Sequence, residues 1–294
     1  MNDDSARRYE ARFRKVIDYI DQHADAVLGL ERLGAVAALS ACHFHRQFSA
    51  TLGIRVSQYV LLLRMKRATH QLAYRREISV LNVALSNGYS APEPFTRALR
   101  RLIGQSPREF RERPDWDALQ SALQPLGDMR SRHLMAEFTL HEVSIVRFPE
   151  TRVALLAHRG DPRRLGDSIR RFIAWRKRNA LPPQRSETYN ICHDDPEDCD
   201  PEVFRFDLCA ATQGEILPND EGVEAGTIPA GRCALLRLVG PDDRLDAAAR
   251  FLYGTWLPQS GEELREFPLY LRRVKFFPEV PESLATTELY LPLR

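Results

Sequence analysis

Two short runs carry side chains able to read a base edge at the spacing a helix needs. Cys42, His45, Arg46 and Ser49 fall at i, i+3, i+4 and i+7, one face of a helix whose opposite stripe is Phe44, Phe48 and Leu52. At an offset of 51 residues, Glu93, Thr96, Arg97 and Arg100 repeat that face opposite Phe95, Leu99 and Ile103. A planar guanidinium makes a bidentate contact with guanine in the major groove, which makes Arg46 and Arg97 the most informative of these residues. His45 and Thr96 are the length to reach base edges, and Glu93 suits a cytosine amino group. The competing reading, that all are ordinary solvated polar residues, stays open for each. Cys42 reads as a small packing residue at a groove wall rather than a redox sensor.

These faces need elements to hold them. Each run follows a short helical segment and a tight turn: residues 30–37 lead into Leu39-Ser40, and residues 80–87 into Gly88-Tyr89-Ser90. That arrangement is a helix-turn-helix, present twice. Residues 56–75 between the copies lack Gly and Pro and carry an apolar stripe through Tyr59, Leu62, Leu63 and Leu72. A helix of ~20 residues is ~30 Å long, close to the ~34 Å between successive major-groove faces. One chain then reaches both segments from one side of the duplex, so a monomer on DNA is expected. Arg64, Lys66, Arg67, Arg75, Arg76, Arg100, Arg101, Arg108 and Arg111 are assigned to phosphate contacts or to solubility.

Charge agrees with this division. The 294 residues carry a net charge of +2, but residues 1–114 hold 19 Lys and Arg against 11 Asp and Glu, and the remainder holds 23 against 29. A basic module joined to an acidic one suits a polyanion for the first half only. At 44% hydrophobic and 28% charged the chain is neither disordered, collagenous nor a disulfide-dense miniprotein. No apolar run approaches the ~18 residues of a membrane helix, and the start lacks a signal-peptide pattern, so a cytoplasmic, nucleoid-associated protein without a membrane partner is expected. Five cysteines, an odd number at irregular spacing, read as reduced thiols.

After Met135 the texture turns to alternating and β-branched runs, interrupted by helical stretches over residues 165–179 and 245–253. Phe148-Pro149-Glu150-Thr151-Arg152-Val153-Ala154-Leu155-Leu156 matches Ile228-Pro229-Ala230-Gly231-Arg232-Cys233-Ala234-Leu235-Leu236 at an offset of 80, a register that continues through Gly160/Gly240, Leu165/Leu245 and Arg170/Arg250. This predicts a duplicated strand–helix–strand unit with a cleft at the junction. Trp175, Tyr189, Tyr253, Trp256, Tyr270 and Phe277 are the aromatics available to line it, with ordinary core as the alternative for each. Cys192-His193-Asp194-Asp195-Pro196-Glu197-Asp198-Cys199 mixes soft and hard ligands, but Cys-x6-Cys is not a zinc knuckle spacing. No metal, cofactor or catalytic constellation is assigned.

The run from Ser40 to Phe48, Gly53, the run from Gly88 to Arg100 and the closing Gly104-Gln105-Ser106-Pro107-Arg108-Glu109-Phe110-Arg111 resemble the AraC/XylS family of bacterial transcription regulators over about residues 10–113. Pro94, where a helix former is usual, is a departure that bears on where the second recognition helix begins. The acidic half, with Pro149 and Gly160, Ile228-Pro229-Ala230-Gly231-Arg232, Trp256-Leu257-Pro258-Gln259-Ser260-Gly261 and Tyr290-Leu291-Pro292-Leu293, resembles the GyrI-like effector-binding domain. The resemblance implies a multidomain chain: an all-α tandem helix-turn-helix over 1–113, a linker with one short helix over 114–136, and an α+β GyrI-like domain over 137–294. It implies double-stranded promoter DNA, RNA polymerase and an unknown small-molecule effector as partners, and no enzymatic activity. Leu271 stands where relatives that bind cations carry a glutamate, so neither cation binding nor the associated hydrolysis is carried over. The alternatives from other classes are a hydrolytic module and an inhibitory protein-binding module.

Overall fold

Phe13, Val16, Ile17 and Ile20 recur at helical spacing and are all buried on the first helix, α1 (Asp3–Gln22). A computed structural model of the chain describes residues 3–133, 138–196, 199–277 and 279–294. Glu197 and Asp198 of the acidic run lie outside the described residues. The chain divides into two compact units, Met1–Met135 with Pro281–Ser283, and Ala136–Val280 with Leu284–Arg294.

The first unit is helical. Each helix-turn-helix pairs a short helix with a longer one: α2 (Leu30–Val36) with α3 (Ala41–Leu52), then, after α4 (Val56–Tyr74), α5 (Val80–Ser86) with α6 (Pro92–Ile103). The caps are local chemistry. The Ser40 side chain accepts from His43 N–H, and Gly53 ends α3 in the left-handed region at φ 68°. Gly104 ends α6 in the same way at φ 77°. Helix α6 starts at Pro92, and Pro94 falls at its third position, where no intrahelical acceptor waits for an N–H, so neither proline breaks it. The second turn holds one residue more than the first: Ala38 and Gly88 are equivalent at an offset of 50, Gly53 and Gly104 at 51.

Helix α4 strings two cores together. Its Val56, Tyr59, Leu62 and Leu63 join Phe13, Ile17, Leu33, Phe44 and Phe48. Its Met65, Ala68, Leu72 and Ala73 join Val83, Phe95, Leu99 and Phe110, the last from α7 (Pro107–Glu112). Where sequence analysis expects a linker with one short helix, an 18-residue helix forms, α8 (Trp116–His133), with Pro125 in its interior. The reason is a stripe through Trp116, Leu119, Ala122, Leu126 and Met129. Its first three residues pack on the second core and its last two on the first.

The second unit is one eight-stranded antiparallel sheet and its helices. The strands are β1 (Val143–Phe148), β2 (Thr151–Arg159), β3 (Thr188–Cys192), β4 (Arg205–Ala211), β5 (Glu224–Ile228), β6 (Gly231–Val239), β7 (Leu269–Lys275) and β8 (Thr286–Leu293). Helix α9 (Leu165–Arg178) follows β2, and α10 (Leu245–Phe251), a π-helical turn (Leu252–Trp256) and α11 (Leu257–Ser260) follow β6. The repeat is therefore strand–strand–helix–strand–strand, longer than the expected unit by a leading and a trailing strand. The sheet order is β1-β6-β8-β7-β3-β4-β2-β5, so each repeat's leading strand pairs in the other repeat: β1 with β6, and β5 with β2.

That exchange forces curvature. Strands β1 and β2 stand six places apart, about 29 Å in a flat sheet, yet two residues, Pro149 and Glu150, join them, a span of at most ~11 Å. The sheet curls, and Phe148 at the end of the edge strand β1 meets the rings of Tyr270, Tyr290 and Tyr189 in the middle of the sheet, at 5.0, 5.2 and 5.9 Å between centroids. Strand alternation sends Val153 into this inner cluster and Ala154 and Leu156 to the face covered by α9.

Candidate functional site

On α3, residues Cys42, His45 and Arg46 are exposed, while Phe44, Phe48 and Leu52 are buried. On α6, Glu93, Arg97 and Arg100 are exposed and Thr96 is half-buried, opposite buried Phe95, Leu99 and Ile103. Among the described residues Arg46 and Arg97 have no hydrogen-bond or ion-pair partner, so each holds its guanidinium in water. Both helices are held from behind by apolar packing, which leaves the polar face free to enter a groove. Helix α4, which joins the two, is 19 residues long, about 28 Å at the helical rise.

Ser49 departs from the expectation. It is half-buried and its hydroxyl oxygen is enclosed with no hydrogen-bond partner, so it faces the protein rather than a base. The stripe Cys42, His45, Arg46, Ser49 is thus exposed at its first three residues and enclosed at its last.

Several arginines expected on phosphates are engaged within the fold. Arg64 donates from Nε to Ala24 O at 2.7 Å and from Nη2 to Ala26 O at 2.8 Å, and burial lowers its pKa from the ordinary guanidinium value. Arg111 donates to Ile78 O at 2.7 Å, and Arg76 to Arg111 O at 3.2 Å. Lys66 pairs with Glu282 at 2.9 Å. Arg101 and Arg108 are exposed.

A buried polar cluster backs the first helix-turn-helix. Arg130 of α8 donates from Nη2 to Asp21 Oδ2 at 2.9 Å and to the Tyr59 hydroxyl at 3.0 Å, and from Nη1 to Glu282. Tyr59 in turn donates to Asp21 at 2.8 Å. Burial raises Asp21 to about 6 even against the Arg130 charge. For Glu282 burial also raises, but Lys66 and Arg130 together overcome it and hold the carboxyl at about 2.

In the second unit the expected pocket residues do not gather in one place. Tyr189 and Tyr270 share the inner face of the sheet with Phe148 and Tyr290. Trp175 is on the buried face of α9, stacked on Phe172, and Trp256 and Leu271 are core with α10. Leu271 points away from that inner face because its strand neighbours Tyr270 and Arg272 alternate with it. Tyr253 is 43% exposed on the π-helical turn. Phe277 is half-buried beyond the end of β7.

Sequence reasoning missed the inner face's carboxylates. Glu288 is buried and accepts from Tyr290 OH at 2.8 Å and Arg237 at 2.6 Å, with Arg272 at 3.6 Å. Glu187 accepts from Tyr189 OH at 2.6 Å and pairs with Arg272 at 2.8 Å. The signal was a repeated Glu-x-Tyr, Glu187-Thr188-Tyr189 and Glu288-Leu289-Tyr290, which puts acid and phenol on one side of a strand. Burial raises Tyr189 and Tyr270 well above the ordinary phenol value, and Tyr290 to about 12. The face thus presents neutral phenols, stacked rings and carboxylates already paired with arginine.

Asp207 is buried between Arg159 at 2.7 Å and His193 at 2.6 Å, which ties the start of the acidic run to the sheet. Among the described residues no group of three or more His, Cys, Asp or Glu is placed to hold a metal. No described helix is long and apolar enough to cross a membrane.

Residues 141–294 match the GyrI-like small molecule binding domain, and residues 33–113 match a helix-turn-helix domain. The protein named "Probable transcriptional regulator YgiV" of Escherichia coli (strain K12) is 38% identical over 160 residues, 54% of this chain and 99% of that protein. Among solved structures, the EcmrR-DNA complex in EcmrR-RPo is 14% identical with a TM-score of 0.44, covering 90% of this chain and 98% of that one. The DNA-binding domain of AdpA in complex with a target DNA is 27% identical with a TM-score of 0.32, covering 35% of this chain and 96% of that one.

Proposed function

We propose that this chain, which belongs to the GyrI-like small molecule binding family and carries an AraC-type helix-turn-helix domain ahead of it, is a transcriptional regulator that reads two adjacent major-groove segments and answers to a small molecule bound by its second unit. The observation that carries the reading is the pair of equivalent helices α3 and α6, each buried on one face and each presenting on the other an arginine, Arg46 or Arg97, with no partner among the described residues. Base contacts come from Cys42, His45, Arg46, Glu93, Thr96, Arg97 and Arg100, with exposed Arg101 and Arg108 anchoring phosphates. With two reading heads in one chain the protein acts as a monomer on promoter DNA in the cytoplasm, and RNA polymerase is the partner through which it acts. The relative named "Probable transcriptional regulator YgiV" supports this reading.

The second unit binds its effector on the inner sheet face around Tyr189, Tyr270 and Tyr290. It does so without turnover, because Glu288 is committed to Arg237 and Tyr290 and is not free to act as a base.

Fluorescence anisotropy of the full chain on its own upstream DNA and on scrambled DNA of equal length, across a salt series, tests the reading. Tighter upstream binding that survives physiological salt supports it. Equal affinity for both, vanishing together as salt rises, reduces the first unit to a nonspecific anchor.

A further inference from the structure

We propose that Arg64 is a positioning residue that sets the spacing at which the two recognition helices meet DNA, an inference that rests on the DNA-reading function above. The two helix-turn-helix copies have separate cores, and α4 passes from one into the other. Arg64 sits at that passage, between Leu63 in the first core and Met65 in the second. Its guanidinium reaches both copies. Nε and Nη2 donate to Ala24 O and Ala26 O, in the segment between α1 and α2. Nη1 approaches Gly88 O at 3.5 Å, in the turn that launches α6.

Three features make this contact specific to arginine. A planar fork has donors in fixed directions and meets several carbonyls at once, whereas an ammonium is a point charge on a flexible stem. The carbonyls of Ala24, Ala26 and Gly88 belong to turns, so no helix partner satisfies them in Arg64's place. Gly88 is shaped to receive the group: its φ is +77°, and a Cβ there would lie 2.7 Å from the guanidinium carbon. The equivalent turn residue in the first copy is Ala38, in the same left-handed region at φ 54°, so the turn forms with a Cβ at a backbone cost, and at Gly88 that Cβ would also displace the Arg64 guanidinium.

Removing Arg64 leaves the apolar cores and the α8 brace in place, so the unit stays folded while the angle between its two copies loses a restraint. The lost discrimination is about tenfold, ~1.4 kcal/mol, the size of one hydrogen bond to a charged group.

The test is selection from a random duplex pool by the full chain and by Arg64→Lys, Arg64→Ala and Gly88→Ala variants, with the thermal midpoint of each recorded. The expected result is one bipartite motif at a single spacing for the native chain. Arg64→Ala and Gly88→Ala then enrich the same two sub-motifs over several spacings, and Arg64→Lys falls between. Loss of a restraint moves the spacing distribution, while simple destabilisation lowers binding at every spacing alike. A variant that enriches the motif at the native single spacing overturns the inference, as does a uniform loss across spacings in both Arg64→Ala and Gly88→Ala. No enriched motif from the native chain would overturn the DNA-reading function itself, and this inference with it.

Discussion

Replacing Arg130 with Met removes the hub of the buried polar cluster while keeping much of its volume. Arg130 and its partners Asp21 and Glu282 are at most 4% exposed, so nothing in solvent takes the hub's place. Breaking a buried pair by deleting one member costs about 3–5 kcal/mol. The components agree in size. Without Arg130, Asp21 keeps its proton at pH 7 instead of releasing it near 6, an added cost of about 1.4 kcal/mol. Glu282 sits about 2.5 below its unfolded value of 4.5, a stabilisation of about 3 kcal/mol at pH 7 of which the Lys66 pair retains a share. The signs differ. Asp21 is raised, so its contribution is full below 3.8 and is lost as pH rises toward about 6. Glu282 is lowered, so its contribution is full above 4.5 and is lost as pH falls toward about 2. At pH 5 the folded native chain already holds the Asp21 proton. The Arg130→Met penalty is therefore about 1.4 kcal/mol smaller at pH 5 than at pH 7. Urea unfolding of the full chain, read by amide exchange in α1 and α4 peptides so that the first unit is followed alone, measures both. A loss under about 1 kcal/mol at pH 7, or an equal loss at the two pH values, refutes the assignment of this cluster as a charged hub.

Arg46→Ala and Arg97→Ala each lose about 1–3 kcal/mol of DNA affinity with relaxed base preference, measured by anisotropy on matched and substituted duplexes. An equal loss on every sequence makes them phosphate contacts. Gly34→Ala places a Cβ 2.8 Å from Leu39 O, a backbone atom that cannot swing aside, and destabilises by about 1–3 kcal/mol in thermal unfolding. Ala38→Gly relieves a non-glycine residue at φ 54° and stabilises by about 1 kcal/mol on the same assay. An unchanged midpoint in either variant contradicts the geometry of the first turn.

Repeats were the most legible feature of this chain, because two copies of one pattern cancel the ambiguity of either. The offset of 51 located the helices α3 and α6 and, Ser49 apart, the polar side of each, including exposed Arg46 and Arg97. It blurred where the copies differ: the extra residue after Gly88 shifts the offset to 50 upstream of the turn, so α2 and α5 align one residue away from where the constant offset puts them. Individual polar residues were harder. Arg64 and Arg108 look alike in a string of basic residues, and only the approach of three main-chain carbonyls separates a strap from a surface charge. Ser49 has the spacing of an exposed face but a short side chain, which its own helix and neighbours enclose. Helix α8 was hidden by Pro125 and Gly127, though the stripe from Trp116 to Met129 holds its period through both.

In the second unit the offset of 80 was visible and its geometric consequence was not. A repeat read along the chain suggests two modules side by side with a cleft between them. The pairing of β1 with β6 and of β5 with β2 instead gives each module its partner's leading strand, and two-residue turns at Pro149-Glu150 and Pro229-Ala230 hold that exchange closed. The turns therefore determine the candidate ligand face: by curling the sheet they bring Phe148 and Ile228, equivalent residues at the two turns, onto the same inner cluster as Tyr189, Tyr270 and Tyr290. Along its own strand Leu271 stands in the place of the acid and faces the core beneath α10. Across strands a buried carboxylate is present, Glu288, held between Arg237 on β6 and Arg272 on β7 by the register of the sheet. A missing acid at one position and a neutralised acid at another have different chemical consequences: Leu271 leaves an apolar wall in the core beneath α10, and Glu288 a polar group whose charge the flanking arginines already balance.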